Sequence, residues 1–313
     1  MRKFVFDCDT GTDDAIAIAA ALGSDDIEIL GITSVNGNVR EEFVSENNRN
    51  LCEYLGVNVP VCHGAVWPLS CGFRNESDMT HGKTGLGSIV LPEAKNLKFD
   101  ERIASRFLYE KAMECGGELE LFVTGPMTNI ALTIIQYPDF SEQIRHLWFM
   151  GGSVWGGNVT TTAEFNIWAD PEAAHVVFSS GIPMTMVGLD VTLKAIMEKE
   201  DVEELRKEDT PARRLTADLL DFMFDRYRRG GENVIMHDAL AVAAALYPEC
   251  MEYQDYWMDV ETRGEYTRGH TYADFRGRSG KQPNVKAALT VNVEMFRKWL
   301  VRSVENCDRK YNG

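Results

Sequence analysis

Lys3 to Phe6 opens the chain as a short apolar run of strand length, and a polar, acidic turn follows it. Asp14 to Leu22 is then apolar on nearly every side of a helix, through alanines and isoleucines. A strand, an acidic turn and a buried helix form the start of a βαβ unit. The alternation continues with a strand over Ile27 to Val35, a helix over Glu41 to Leu55 stopped by Gly56, and a short strand over Val59 to Cys62. From Gly64 to Asp100 the pattern gives way to glycines, prolines and scattered polar residues, which predicts a mobile active-site loop around 64–100. Periodicity resumes in a helix over Glu101 to Cys115, a strand over Glu120 to Val123, a helix over Met127 to Ile135 and a strand over His146 to Met150. A helix over Ala173 to Ser180 and a strand over Pro183 to Gly188 come next, and Leu189-Asp190-Val191-Thr192 forms a turn. A charged helical segment around 198–230 follows, and Asp238 opens a second alanine-rich helix that Pro248 closes.

Strands alternating with helices predict an α/β fold with a mostly parallel central sheet flanked by helices on both faces, Rossmann-like, with the active site at the C-terminal ends of the strands. No repeat, low-complexity stretch or linker divides the chain, so residues 1–313 read as a single domain. With 44% hydrophobic and 26% charged residues, the chain has the means to bury a large core.

The charge balance narrows the partners. Lys and Arg number 32 against 48 Asp and Glu, a formal charge of −16, which argues against nucleic acid or an anionic membrane surface. No apolar stretch approaches a bilayer span, and Asp7 interrupts the N-terminal apolar run before a signal peptide forms, so a cytoplasmic location is expected. Seven dispersed cysteines without a Cys-x-x-Cys pair point to reduced thiols. The sequons at Asn75 and Asn158 are read as unglycosylated.

The densest chemical signal is Asp7-Cys8-Asp9-Thr10-Gly11-Thr12-Asp13-Asp14, four carboxylates directly after a strand. Carboxylates held this close repel unless a cation neutralises them, and hard oxygen donors favour Ca²⁺ or Mg²⁺ over zinc. Helix capping would account for one or two of the acids. His237-Asp238, at the start of the second alanine-rich helix, is either a cap or part of a site. Asn158, Glu164 and Asn166 trail a strand that ends in Met150-Gly151-Gly152, and Asn38 trails another. Such groups either shape loops or hold sugar hydroxyls, donating through amide nitrogens and accepting through carboxylate or amide oxygens.

In their order along the chain these pieces resemble the nucleoside hydrolase family of the inosine-uridine-preferring type. Asp7 to Ala15 is similar to its amino-terminal signature and Thr124-Gly125-Pro126-Met127-Thr128-Asn129-Ile130-Ala131 to its central one. Met150-Gly151-Gly152, Ala163 to Asn166 with Asp170 to Ala174, Val187 to Thr192, and His237-Asp238 follow in the family's order, so the resemblance covers almost the whole chain.

The resemblance implies hydrolysis of the N-glycosidic bond of purine or pyrimidine ribonucleosides to base and ribose. It implies Ca²⁺ held by Asp9, Asp14, Asp238 and the main-chain carbonyl of Thr124, with Asp9 also the general base for a metal-bound water. Asp13, Asn38, Asn158, Glu164 and Asn166 would hold the ribose, and Met150 would lie against it. His237 would protonate the leaving base, and this histidine favours broad specificity. His81, in the glycine-rich loop, is either a group that closes over the base or a solvated loop histidine. Around Phe222 to Gly231 the chain departs from the family, and only Tyr227 is an evident counterpart of its base-contacting residues, which leaves the preferred base open. A homodimer or homotetramer is expected on the same ground.

Two rivals stand beside this reading. Asp7-x-Asp9-Thr10 after a strand also resembles the signature of haloacid-dehalogenase-type phosphatases, with Asp7 as nucleophile and Mg²⁺ as metal. No later Gly-Asp-x-x-x-Asp motif accompanies it, and Asp13-Asp14 has no part in that scheme. The other rival is a nucleoside or ribose binder without turnover.

Overall fold

The computed structural model describes residues 1–70, 80–230 and 233–312, with the side chains of 228–230 outside the description. Cys71 and the sequon at Asn75 lie outside the described residues. The strands are β1 (Arg2–Cys8), β2 (Ile27–Ser34), β3 (Val61–Cys62), β4 (Leu119–Val123), β5 (Ile144–Met150), β6 (Met184–Val187), β7 (Met251–Tyr256), β8 (Met258–Val260), β9 (Thr271–Ala273) and β10 (Val285–Val291). Eight of them form one sheet in the order β3-β2-β1-β4-β5-β6-β10-β7, with β8 and β9 paired separately. Every neighbouring pair in the large sheet is parallel except β10 with the edge strand β7. The expected mostly parallel α/β architecture is therefore present.

The helices are α1 (Thr12–Leu22), α2 (Glu41–Tyr54), α3 (Ala104–Cys115), α4 (Thr128–Gln136), α5 (Phe165–Ala169), α6 (Pro171–Phe178), α7 (Leu189–Thr192), α8 (Lys199–Leu205), α9 (Pro211–Gly230), α10 (Asp238–Leu246) and α11 (Val293–Tyr311). Period-two alternation in β1 sends Phe4, Phe6 and Cys8 into one apolar layer with α1, α9, α10 and α11. Val5 goes into the other layer, with α3, α4 and α6. All of α1 is buried, as is Asp238 to Ala245 of α10, which is why neither helix shows a polar stripe.

The predicted elements are found with boundaries shifted by a few residues, and the described parts of 64–100 lack regular structure. The charged segment around 198–230 is two helices rather than one, because Pro211 has no N–H to donate and starts α9 afresh. Beyond Pro248, where the hydrophobic pattern predicts nothing, the chain forms β7 to β10 and α11. No helix among the described residues is long and apolar enough to cross a membrane.

The sheet order reverses direction between β1 and β4. In doubly wound sheets the crevice beyond the strand ends at such a reversal is where ligands bind. Here it receives the acidic turn after β1 and Thr124 after β4.

Candidate active site

After Cys8 the chain turns through Asp9, Thr10 and Gly11 into α1, which sets Asp13 and Asp14 in the helix's first turn. Asp238 opens α10, and α1 and α10 pack against each other through small alanines. Their N-termini converge, and one carboxylate oxygen each from Asp13, Asp14 and Asp238 lies within 4.8 Å of the others. All three residues are buried. The positive ends of two helix dipoles meet these acids and offset part of their repulsion.

Asp14 does cap its helix: Oδ2 accepts from the Gly11 N–H at 2.8 Å, while Oδ1 accepts from Thr124 Oγ1 at 2.6 Å. Capping and convergence with Asp13 and Asp238 thus coexist. Asp9 lies beside the triad. Its Oδ2 accepts from the Asn38 N–H at 2.7 Å and its Oδ1 from Asn38 Nδ2 at 3.2 Å. The same Nδ2 reaches Asp14 Oδ2 at 3.2 Å, so Asn38 bridges the two carboxylates. The triad therefore includes Asp13, for which a ribose contact is expected, with Asp9 joined to it through Asn38.

Burial dominates the electrostatics. It pushes the Asp14 carboxyl up to about 7, with Asp13 adding to the shift and the bonds from Thr124 and Gly11 opposing it. Asp9 and Asp238 are driven well above the usual carboxylate range by burial first and neighbouring acids second. No Lys or Arg supplies a hydrogen bond or ion pair to these acids among the described residues. Asp7 is also fully buried, with Oδ1 taken by Thr33 Oγ1 at 2.5 Å and Asn129 Nδ2 at 2.8 Å. Like Asp9 it does not line the cavity, but its Oδ1 is tied to Thr33 and Asn129 rather than to Asn38 and the triad.

Above the acids opens a cavity of about 460 Å³, within the range of small-molecule sites. Asp13, Asn38, His81, Thr124, Met150, Asn158, Glu164, Asn166, Tyr227, His237 and Asp238 all line it. Of the expected site residues only Asp9 and Asp14 lie behind the lining. Glu164 caps α5, accepting from Gly152 N at 2.8 Å, Asn166 N at 3.0 Å and Ile167 N at 3.3 Å. Burial pushes its carboxyl up to about 7 against the pull of these amides. Asn166 Nδ2 donates to the Thr124 carbonyl at 2.7 Å and to the Met150 carbonyl at 3.1 Å. Asn158 Oδ1 accepts from Phe165 N at 3.0 Å.

The remaining lining is Thr12 and Thr80 together with the apolar Val159, Phe165, Trp168, Met223 and Ile235, none of which the sequence pattern marks as a site residue. Phe165 sits inside the quoted motif, and the helical spacing of α9 carries Met223 to the same face as Tyr227. Trp168 has no such local signal.

His81 is in the site. Its Nδ1 accepts from the Thr12 N–H at 3.2 Å, so the neutral ring carries its hydrogen on Nε2. Gly11 permits this approach, since a Cβ there would meet His81 Nδ1 at 2.5 Å. His237 Nδ1 shares a hydrogen with Thr192 Oγ1 at 2.9 Å. Burial lowers the pKa of both rings, and the charge of Asp13 opposes it.

Comparison with known proteins agrees with this geometry. The profile of the family described as "Inosine-uridine preferring nucleoside hydrolase" matches residues 4–298. A pyrimidine-specific ribonucleoside hydrolase, RihA, of Shewanella woodyi is 38% identical, over 98% of this chain and 99% of its own. A non-specific ribonucleoside hydrolase, RihC, of Salmonella enteritidis is 39% identical over 95% of each chain. The solved structure of a purine-preferring ribonucleoside hydrolase from Gardnerella vaginalis superposes with a TM-score of 0.92 at 32% identity, covering 98% of this chain and 100% of that one. The chain belongs to the inosine-uridine preferring nucleoside hydrolase family and, as a member, is a hydrolase of N-glycosyl bonds.

Proposed function

We propose that this chain hydrolyses the N-glycosidic bond of ribonucleosides, purine, pyrimidine or both, using Ca²⁺ and with Asp9 as general base. The observation that carries the proposal is the convergence of Asp13, Asp14 and Asp238 at a cavity that Asn38, Asn158, Glu164 and Asn166 also line.

The donors suit a hard divalent cation. They are carboxylates and a main-chain carbonyl, with no thiolate or imidazole among them, and their burial without a cationic side chain favours a bound positive charge. Asp9, Asp14, Asp238 and the Thr124 carbonyl would hold the ion, and Asp13 is close enough to join them. Asn166 uses one lone pair of that carbonyl and leaves the other free. When bound, the cation supplies a positive centre that attracts the ribose 2′- and 3′-hydroxyls and eases deprotonation of a water.

Asp9 takes the proton from the water that attacks the anomeric carbon, and Asn38 aims its carboxylate. Asp13, Asn38, Asn158, Glu164 and Asn166 hold the ribose hydroxyls, and Met150 packs against the sugar. The surrounding carboxylates stabilise the positive charge that develops on the oxocarbenium-like transition state. His237 delivers a proton to the departing base, while His81, through Nε2–H, and Tyr227 face that base. Among the described residues six cysteines are free, which favours the reducing cytoplasm. A homodimer or homotetramer is the assembly the family resemblance supports.

Ribose release from inosine, uridine, cytidine, adenosine and guanosine, followed by reducing-sugar assay, tests the proposal. Release that stops on chelation and returns with Ca²⁺ is expected, and the rates rank the bases. Release untouched by chelation would overturn the metal assignment. Tight binding without release, seen by calorimetry, would make the chain a nucleoside binder.

A further inference from the structure

The segment that follows β5 carries the polar wall of the cavity, and its backbone is tied at every residue from Gly151 to Trp155. The Gly151 N–H donates to the Val187 carbonyl at 3.4 Å and the Gly152 N–H to Glu164 Oε2 at 2.8 Å. Ser153 N donates to Thr271 Oγ1 at 2.9 Å, and Thr271 Oγ1 donates back to the Ser153 carbonyl. The Val154 and Trp155 N–H groups donate to Asp190 Oδ2 and Oδ1 at 2.6 and 3.0 Å.

Thr271 opens β9 and is 1% exposed, and its methyl would lie 2.7 Å from a Cβ at Gly152, whose φ is +69°. No side chain other than hydrogen fits between them. Trp155, the last residue of the tied run, stacks on Phe275 just past β9, with ring centroids 4.6 Å apart and planes at 11°. Farther along, His270 Nδ1 lies 3.0 Å from the Thr162 carbonyl, and Gly269 lies against Trp168 of the cavity wall.

We infer that Asp190 and Thr271 are positioning residues that clamp Gly152 to Trp155 and thereby place Glu164 for the ribose. The inference rests on the ribonucleoside hydrolase reading above. Neither residue lines the cavity, so each acts through the segment it holds. Glu164 is the link. Its Oε2 is anchored on the Gly152 N–H, and a displaced Gly152 moves that oxygen away from a sugar hydroxyl. The triad of carboxylates is built on α1 and α10, and the side chains of Asp190 and Thr271 bond to the segment after β5 rather than to either helix.

The test compares wild type with T271V, T271S and D190N, all loaded with Ca²⁺. Steady-state kinetics on inosine and uridine are measured beside inhibition by free ribose and calorimetric Ca²⁺ affinity. T271V should raise KM and the ribose inhibition constant by about tenfold while kcat moves less than about threefold. T271S keeps the hydroxyl and should restore both, and Ca²⁺ affinity should stay at the wild-type value. If T271V does not fold, D190N, which removes one acceptor oxygen and keeps its shape, carries the same expectation. Wild-type KM and ribose inhibition in the variants would overturn the clamp, as would a loss confined to kcat or a T271S as impaired as T271V. No ribose release by the wild type would overturn the hydrolase reading instead, and ribose binding by calorimetry would still decide the clamp.

Discussion

Asn38 grips Asp9 with two donors, its backbone N–H at 2.7 Å and its side-chain amide at 3.2 Å, one on each carboxylate oxygen. The turn that makes this possible needs Gly37, where a Cβ would stand 2.0 Å from Asp9 Oδ2. Asn38 is therefore an orienting group for the proposed base as well as a cavity-lining amide. Asn38→Ala keeps the backbone donor and loses the side-chain one, so kcat should fall about 10- to 100-fold, less than the roughly 10²- to 10⁴-fold expected when Asp9→Asn removes the base itself. Steady-state kinetics on one nucleoside checks both, and an Asp9→Asn variant with wild-type kcat would sink the base assignment.

His237 can be separated from a structural role by its leaving-group dependence. Its ring is held by Thr192 and its pKa is lowered by burial, which makes its proton easier to give once bound. His237→Ala should slow inosine by about 10²-fold or more and p-nitrophenyl riboside only a few-fold, because nitrophenolate leaves without a proton. Equal losses on the two substrates would assign the residue to packing.

Much of the architecture is legible in the chain because β1, β2, β4, β5 and β6 are mostly buried and carry apolar runs, and α1 and α10 are apolar nearly all round. The acidic turn and His237-Asp238 are legible because charge so close to buried elements has few structural explanations. The C-terminal third is harder to read. β7 is a half-exposed edge strand of sequence MEYQDY, so its polar residues mask the strand period. Thr271 and Asp190 are ordinary residues made important by partners 118 and 36 positions away. The apolar lining has the same character, since nothing around Trp168 in sequence distinguishes a cavity wall from a core.

Metal removal should be visible in stability as well as in rate. A cation that binds only the folded chain stabilises it by about 2.7 kcal/mol at a concentration 100 times its Kd. For a chain of 313 residues that corresponds to a melting shift of roughly 4 °C. Ca²⁺ added to chelated protein should produce such a shift, and Asp238→Asn should reduce it severely, since the variant removes one member of the triad. Differential scanning calorimetry decides this, and equal shifts in the two proteins would exclude Asp238 as a ligand.

Glu164, outside the proposed metal donors, offers a test through pH. Burial raises its folded pKa from 4.5 to about 7, so the folded state favours the protonated acid. A raised folded value means that the group's stabilising contribution is complete below pH 4.5 and is lost as pH rises through about 7. At about 1.4 kcal/mol per unit, the loss amounts to roughly 3 kcal/mol by pH 8. Glu164→Gln has no charge to bury and escapes this loss, although its amide nitrogen faces N–H donors and costs a constant amount at every pH. Urea unfolding with saturating Ca²⁺ should therefore show the variant gaining on the wild type between pH 5 and pH 8, by up to about 3 kcal/mol. Stability curves that run parallel across this window would mean that the Glu164 carboxylate stays ionised in the fold, held by the amides of Gly152, Asn166 and Ile167.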